Sequence, residues 1–247
     1  MRGIGSFTAA ALVALSCVSG PRPAPHGAIA LRADVYVQTL VPGVLRHVSY
    51  RYFPELGQVP SNGLIVHGAS GSLIVDTAWN SEQTAAVFSW AESNVGPIRA
   101  VVVTHAHDDR LGGLAEVQRR EIPSYALAET VRLAAQHDWP PIGHGVTSPF
   151  ALDSLGVSGE LFFPGSGHTT DNSTVWLRAT RVLAGGCLVR ASASTTMGNT
   201  SQADLEGWPH AIATLEQRYP DVRVVVPGHG EAGGPDLLAH TRELLGK

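Results

Sequence analysis

Two histidines and two aspartates follow an apolar run near the middle of this chain, and this order constrains the fold. The run 100–103, Ala-Val-Val-Val, has the β-branched content of a buried strand. The segment 104–110, Thr-His-Ala-His-Asp-Asp-Arg, leads from it into a glycine-containing turn. A tight turn at a strand end can aim both imidazoles inward, and imidazole with carboxylate suits zinc. The segment therefore predicts a metal site, and the alternative is a solvated polar turn.

Three more residues with metal-binding side chains occur downstream, each beside glycines that let the backbone approach closely. With those of the first segment they provide six ligands, enough for two zinc ions with three protein ligands each. Three ligands per ion leave positions for water and substrate, which is typical of catalytic zinc. The six are His105, His107, Asp109, His168, Cys187 and His229.

The seven other histidines lack this context, and we expect them at the surface or at the edge of the core. They are His26, His47, His67, His137, His144, His210 and His240.

The beginning of the chain has the pattern of a secretory signal. Arg2 precedes an apolar run, 7–18, that is too short to span a bilayer, and a proline-rich stretch follows. We expect residues 1–30 to be signal peptide and leader, residues 31–247 to be one domain, and the mature protein to be periplasmic. Cleavage after Ala30 fits the small-residue rule, whereas a weak lipoprotein box would leave a lipid anchor at Cys17. Either way Cys187 lacks a disulfide partner, which favours metal coordination over a plain buried thiol.

Composition limits the classes of partner. A hydrophobic content of 44% in 247 residues supports one domain with a sizeable core. The formal net charge is −4 and no basic run occurs, so the sequence lacks the cluster of basic residues that indicates nucleic-acid binding. After the leader no segment is long and apolar enough for a membrane span. We expect a small-molecule substrate and a monomer.

The predicted strands and helices alternate in two blocks, which indicates an α/β protein with an αββα sandwich of two packed mixed sheets. Asn80 and Gln83 form a capping-box variant at a helix start, and Pro209 either kinks its helix or marks the start. Strands are predicted over 35–40, 44–53, 64–67, 72–76, 99–104, 124–127 and 222–226. A further strand-rich block spans 161–189, and the strand-like segments 173–177 and 188–190 lie on either side of Cys187. Helices are predicted over 80–94, 113–120, 129–137, 203–219 and 235–245.

Taken in order, the motifs make residues 31–247 resemble a subclass B1 metallo-β-lactamase, with VIM-type enzymes nearest. The resemblance implies the metallo-β-lactamase fold. The segments that carry it are Ser61–Val66, Val75–Trp79, Thr104–Arg110, Gly167–Asn172, Gly185–Leu188, Gly198–Asn199 and Pro227–Gly230.

Subclass B1 is the one that fits the ligand pattern. The wider superfamily, which includes thioesterases and lactonases, carries a histidine directly after the motif aspartate, where this chain has Arg110. Subclass B3 keeps that histidine and lacks the cysteine. Subclass B2 has asparagine at the position of His105.

The resemblance implies a zinc-dependent enzyme that hydrolyses the β-lactam amide bond of penicillins, cephalosporins and carbapenems. Such an enzyme would confer resistance to these antibiotics. Three histidines, His105, His107 and His168, would bind one zinc. Asp109, Cys187 and His229 would bind the other. A zinc-bound hydroxide would be the nucleophile, oriented by Asp109. Asn199 would donate to the developing oxyanion.

Other residues are implied to bind substrate or to support the ligands. Arg190 would grip the substrate carboxylate; VIM-type enzymes use a position that is Ser194 here, and the alternative is a solvated arginine. Arg110 and Asp76 would lie beneath the ligands. Asp108 is expected to be a solvated turn residue.

The stretch 50–59 matches the mobile flap of the family, so Tyr52 and Phe53 would cover apolar parts of a substrate. An ordinary amphipathic hairpin is the alternative.

Two other functions stay open. One is a hydrolase of the same fold acting on lactones or thioesters, which Arg110 argues against. The other is a zinc-binding module without catalysis, which Asn199 and Arg190 argue against.

Overall fold

A computed structural model describes residues 24–246 of the chain. Within this range the strands form two sheets, one with the order β1-β2-β3-β4-β5-β6-β7-β8 and the other with the order β13-β12-β11-β10-β9. The strands are β1 (Ile29–Arg32), β2 (Val35–Val41), β3 (Val44–Phe53), β4 (Gly57–Gly68), β5 (Gly71–Val75), β6 (Ile98–Val102), β7 (Ser124–Leu127), β8 (His144–Val146), β9 (Phe150–Ala151), β10 (Gly159–Phe162), β11 (Thr174–Leu177), β12 (Val182–Gly186) and β13 (Val224–Pro227). The helices are α1 (Ser81–Asn94), α2 (Asp108–Leu111), α3 (Leu114–Arg119), α4 (Ala128–Gln136), α5 (Trp208–Arg218) and α6 (Asp236–Leu245), with a 3-10 turn at Asp153–Leu155.

The predicted αββα sandwich is confirmed, and three apolar layers hold it together. Successive residues of one strand alternate between layers, because side chains point to opposite faces of a sheet. In β5, Leu73 and Val75 face the second sheet, whereas Ile74 faces the helices on the outer side. In β12, Val182 faces the first sheet and Leu183 contacts the layer beneath α5 and α6. Each sheet is therefore covered by its partner on one face and by helices on the other.

Two local predictions about helix starts are resolved by the structure. The side chain of Asn80 accepts a hydrogen bond of 2.9 Å from the backbone N–H of Gln83, which caps α1 as predicted. Pro209 lies in the first turn of α5, so it marks the start of that helix and does not kink it. Residues 203–207 are not helical, with a turn over 205–207, and the predicted helix start at Ala203 is wrong.

The strand predicted over 188–190 is wrong. The chain leaves the sheet at Gly186, whose φ of +55° lies in the left-handed region, and Val189 N–H then bonds the Gly186 carbonyl. Residues 187–189 form a turn and a bend. Leu188 and Val189 are apolar because they pack beneath α5 and α6, and this burial imitates the pattern of a strand.

His47 contradicts the expectation that histidines outside the ligand set lie at the surface or the core edge. Its side chain is 1% exposed, contacts Gly63, and bonds the Asp76 carbonyl through Nε2 at 3.1 Å. Burial lowers the pKa of His47 to about 4, so the ring is neutral. The other six are exposed or half-buried.

Residues 1–23 of the predicted signal and leader, which include Cys17, lie outside the described residues. Strand β1 pairs Ile29 with Val37 and Ala30 with Tyr36, so it spans the predicted boundary between leader and domain. From residue 24 to residue 246, no helix combines the length and apolarity that a membrane crossing requires.

Candidate metal centre

The six ligand-type side chains come from four loops at one edge of the sandwich. Residues 105–109 follow the end of β6, Cys187 follows β12, and His229 follows β13, which is parallel to β12. His168 precedes β11, which is antiparallel to β12 and therefore begins at the same edge. Sheet topology thus brings together residues that are far apart in sequence.

Three imidazoles form the first group. Nδ1 of His107 lies 3.2 Å from Nε2 of His168, and Nε2 of the buried His105 has no hydrogen-bond partner. The ring centroids are 4.8 to 5.1 Å apart. An ion between the rings would explain both this crowding and the buried, unpartnered Nε2 of His105.

A carboxylate, a thiol and an imidazole form the second group. Sγ of Cys187 lies 3.5 Å from Oδ2 of Asp109 and 3.3 Å from Nε2 of His229, and these last two atoms are 3.4 Å apart. Ligand atoms of Cys187, His105 and His168 also lie within 4.8 Å of one another, so the two groups are contiguous.

Hydrogen bonds outside the groups set the tautomers of the histidines. The Pro60 carbonyl can only accept, so His229 donates to it from Nδ1 at 2.6 Å, and in the neutral ring the lone pair is therefore on Nε2. Oε1 of Gln202 accepts from Nε2 of His107 at 2.6 Å, which leaves the lone pair on Nδ1. These two histidines thus direct the basic nitrogen of the neutral ring to their ligand groups.

His105 is oriented through Thr104. The Thr104 hydroxyl donates to Oδ2 of Asp76 at 3.0 Å, so it accepts from Nδ1 of His105 at 3.2 Å. The lone pair of His105 therefore stays on Nε2. The roles of Gln202 and Pro60 were not predicted from the sequence.

Arg110 lies beneath the second group with its side chain fully buried. One terminal nitrogen donates to Asp109 at 2.7 Å, to Cys187 at 3.2 Å and to the Gly228 carbonyl at 3.0 Å. The other donates to the Asn62 carbonyl and to Asp76 at 3.1 Å. The guanidinium therefore fills the position beneath the ligands that the resemblance implied.

The charges of this group act on one another. Burial alone raises the pKa of the Cys187 thiol, but Arg110 and His229 hold it well below its usual range. Burial opposes charge on His229, but the Cys187 thiolate and Asp109 raise its pKa to about 9. The thiolate is the form that binds metal.

Asp76 supports the ligands from a strained backbone position, with φ of +62° in the left-handed region. Its Oδ1 accepts from the Thr104 N–H at 2.8 Å, and burial raises its pKa although Arg110 opposes the shift. The carboxylate thus connects Thr104, and through it His105, to Arg110.

The donor set fits zinc. One group offers three imidazoles in mutual contact, and the other offers nitrogen, thiolate sulfur and carboxylate oxygen, which are the ligand types zinc prefers. The buried, unpartnered Nε2 of His105 supports this fit.

Two of the four residues predicted to bind substrate lie in the loop after Cys187. The Arg190 guanidinium packs against Gly198, and its Nε is buried without a partner. Burial lowers its pKa, and Cys187 is the charged group that acts on it. Asn199 is exposed, and its Oδ1 accepts from Ser201 N–H at 3.1 Å, which leaves its amide N–H groups free. The structure thus brings Arg190 beside the residue that precedes Asn199.

The predicted flap is the tip of a regular β3–β4 hairpin that is paired as far as Phe53 and Gly57. Phe53 packs on Trp79 at 5.6 Å between ring centroids, and Trp79 lies 6.3 Å from the His229 ring. Arg51 covers Phe53 and bonds Asp108 at 3.0 Å. Tyr52 is 53% exposed. The tip therefore contacts the second group through Phe53 and Trp79.

Comparison with known proteins assigns the family. The model of the metallo-β-lactamase superfamily matches residues 56–229. A metallo-β-lactamase type 2 of Bacillus cereus is 35% identical over 234 residues, covering 94% of this chain and 91% of the relative. The chain therefore belongs to the metallo-β-lactamase superfamily.

Solved structures agree. A metallo-β-lactamase from Pontibacter korlensis is 40% identical, with a TM-score of 0.80 over 86% of this chain and 99% of that one. The mono-zinc form of FIM-1 from Pseudomonas aeruginosa is 38% identical, with a TM-score of 0.81 over 88% of this chain and 98% of that one.

Proposed function

We propose that this protein is a zinc-dependent β-lactamase that opens the β-lactam ring by hydrolysis of its amide bond. The observation that carries the proposal is the contact between two three-ligand groups, where Cys187 lies within 4.8 Å of ligand atoms of both. His105, His107 and His168 would hold one zinc. Asp109, Cys187 and His229 would hold the other. Zinc bound there supplies Lewis acidity, which polarises a carbonyl and lowers the pKa of coordinated water to about 7.

The residues of the chain divide the remaining work. Asp109, fixed by Arg110 at 2.7 Å, orients the attacking water and accepts its proton. The free amide N–H of Asn199 donates to the carbonyl oxygen as negative charge develops, which contributes up to about 3 kcal/mol. The fork of Arg190 binds the substrate carboxylate. Tyr52 and Phe53 at the hairpin tip cover the apolar substituents of the substrate.

Hydrolysis of nitrocefin and imipenem by the purified protein tests the proposal. Turnover that disappears with a chelator and returns with zinc supports it, and Asp109→Asn should lower kcat by at least about 100-fold. Asp108→Asn is the matched control, because Asp108 pairs with Arg51 on the exposed side of the same helix. Absence of β-lactam turnover from zinc-loaded protein would reject the proposal.

A lactone or thioester hydrolase of the same fold is the alternative. Arg110 argues against it because the guanidinium fills the space beneath Asp109 and Cys187, and the thiolate completes the second group. Turnover of thioesters or lactones in the same assay, without β-lactam turnover, would favour this alternative.

Our proposal has further parts. The Cys187-containing ligand set supports subclass B1, while the likeness to VIM-type enzymes rests on sequence motifs alone. We propose two zinc ions per chain, a monomer, secretion to the periplasm, activity on carbapenems and a role in antibiotic resistance. Fractionation of cells that express the full chain tests the secretion.

A further inference from the structure

A second buried guanidinium lies behind the loop that carries His229. The side chain of Arg46, on β3, is 1% exposed. One terminal nitrogen donates to the Gly230 carbonyl at 2.9 Å. The other donates to Gln38 and to Glu231, each at 2.7 Å. Arg46 thereby connects the first sheet to the two residues that follow His229.

The loop on the other side of His229 is held by Asn62. Its backbone N–H bonds the Gly228 carbonyl at 2.9 Å, and its side-chain amide bonds the Pro227 carbonyl at 2.8 Å. The same amide shares the Gly230 carbonyl with Arg46, at 2.7 Å. Gly230 has φ of +85°, a conformation that glycine adopts without strain. The loop therefore depends on outside donors for its position.

The ligands of the second group differ in their support. Asp109 and Cys187 both bond Arg110, whereas the His229 ring bonds only the Pro60 carbonyl outside the ligand group. The position of His229 therefore depends on its backbone. Arg110 and the Gly186 carbonyl bond Gly228 on one side, Asn62 bonds both sides, and Arg46 holds the residues that follow His229.

We propose that Arg46 is a positioning residue for the second metal site. Its forked guanidinium fixes the Gly230 carbonyl and Glu231, and so places Nε2 of His229 opposite Cys187 and Asp109. This inference rests on the proposed two-zinc function. It assigns Arg46 a role in metal affinity although its side chain touches none of the six ligands.

Zinc titration of metal-free Arg46→Met against a chromophoric chelator tests the inference. Affinity at the second site should fall about tenfold or more, while first-site affinity stays at the wild-type value. Cobalt titration gives an independent signal, because the thiolate of Cys187 produces a charge-transfer band only when the second site fills. That band should need more cobalt in the variant, and circular dichroism should show an intact fold.

Glu231→Gln is the matched control. Glu231 is 70% exposed, and glutamine keeps an acceptor for Arg46, so the second-site affinity should stay close to wild type. Arg46→Lys keeps the charge but replaces the two terminal nitrogens that bond Gly230 and Glu231 by a single one, so an intermediate loss is expected. This variant decides the question if Arg46→Met does not fold.

Wild-type affinity at the second site in the folded arginine variants would overturn the inference and leave the proposed function intact. An equal loss at both sites would also overturn it, because that result indicates a general structural role. A wild-type protein that binds one zinc would contradict the two-zinc proposal itself.

Discussion

Replacement of Arg110 by methionine should destabilise this protein more than most single substitutions. The guanidinium is fully buried and bonds Asp76, Asp109 and Cys187. Methionine fills similar volume but leaves Asp76 as a buried carboxylate without its cation. Breaking a buried ion pair from one side costs about 3–5 kcal/mol, so we expect a loss of about 4 kcal/mol in the free energy of unfolding at neutral pH.

Urea denaturation of metal-free protein measures this loss, and a double-mutant cycle with Asp76→Asn assigns it. Asparagine carries no charge, so the double variant should lose less than the sum of the single variants by about 2 kcal/mol. Burial raises the pKa of Asp76. Without Arg110 the buried, charged Asp76 carboxylate lowers the free energy of unfolding at high pH. This loss becomes smaller as falling pH protonates Asp76. A loss below about 1 kcal/mol, or strict additivity in the cycle, would refute the reasoning.

Three of the other predictions concern the site, and one concerns the core. Cys187→Ser should keep the fold and lose zinc at the second site; unchanged two-zinc stoichiometry by elemental analysis would contradict the ligand assignment. Gln202→Leu should weaken the first site about tenfold, because His107 loses the acceptor for Nε2, and Gln202→Glu should restore it in a chelator competition. Arg190→Ala should raise KM more than it lowers kcat for a substrate with a carboxylate, whereas equal loss of both would point to another role. His47, with a pKa of about 4 in the folded state against 6.5, contributes stability above pH 6.5 that is lost as pH falls toward 4. This amounts to about 3 kcal/mol, and urea midpoints should show a weaker pH dependence in His47→Gln than in wild type.

The fold was predictable because its rules are local. Strands β4 and β5 are covered on both faces where they cross the core, so they read as the short apolar runs 64–66 and 73–75, and the Asn80 cap is a contact within one turn. The failures occurred where tertiary packing decides. Leu188 and Val189 are apolar because of α5 and α6, not because they form a strand. Likewise the His47 ring is buried by contact with Gly63 and Asp76, which its neighbours in sequence do not indicate.

The candidate metal ligands could be predicted from the sequence because histidine, aspartate and cysteine beside glycines at strand ends are typical of metal sites. Their supporting contacts could not. Gln202 lies 95 residues from His107, and Pro60 acts through a backbone carbonyl that any residue possesses. Arg46 reaches the His229 loop across 184 residues, and arginine in a strand is ordinarily a solvated residue.

Two adjacent three-ligand groups are proposed to hold the zinc needed for β-lactam hydrolysis. The most direct test adds zinc stepwise to metal-free protein and follows bound metal and β-lactam turnover in the same samples. We expect no turnover without metal, activity that rises with bound zinc, and saturation at two ions per chain. Full turnover in the metal-free protein, or two bound ions without any turnover, would contradict it.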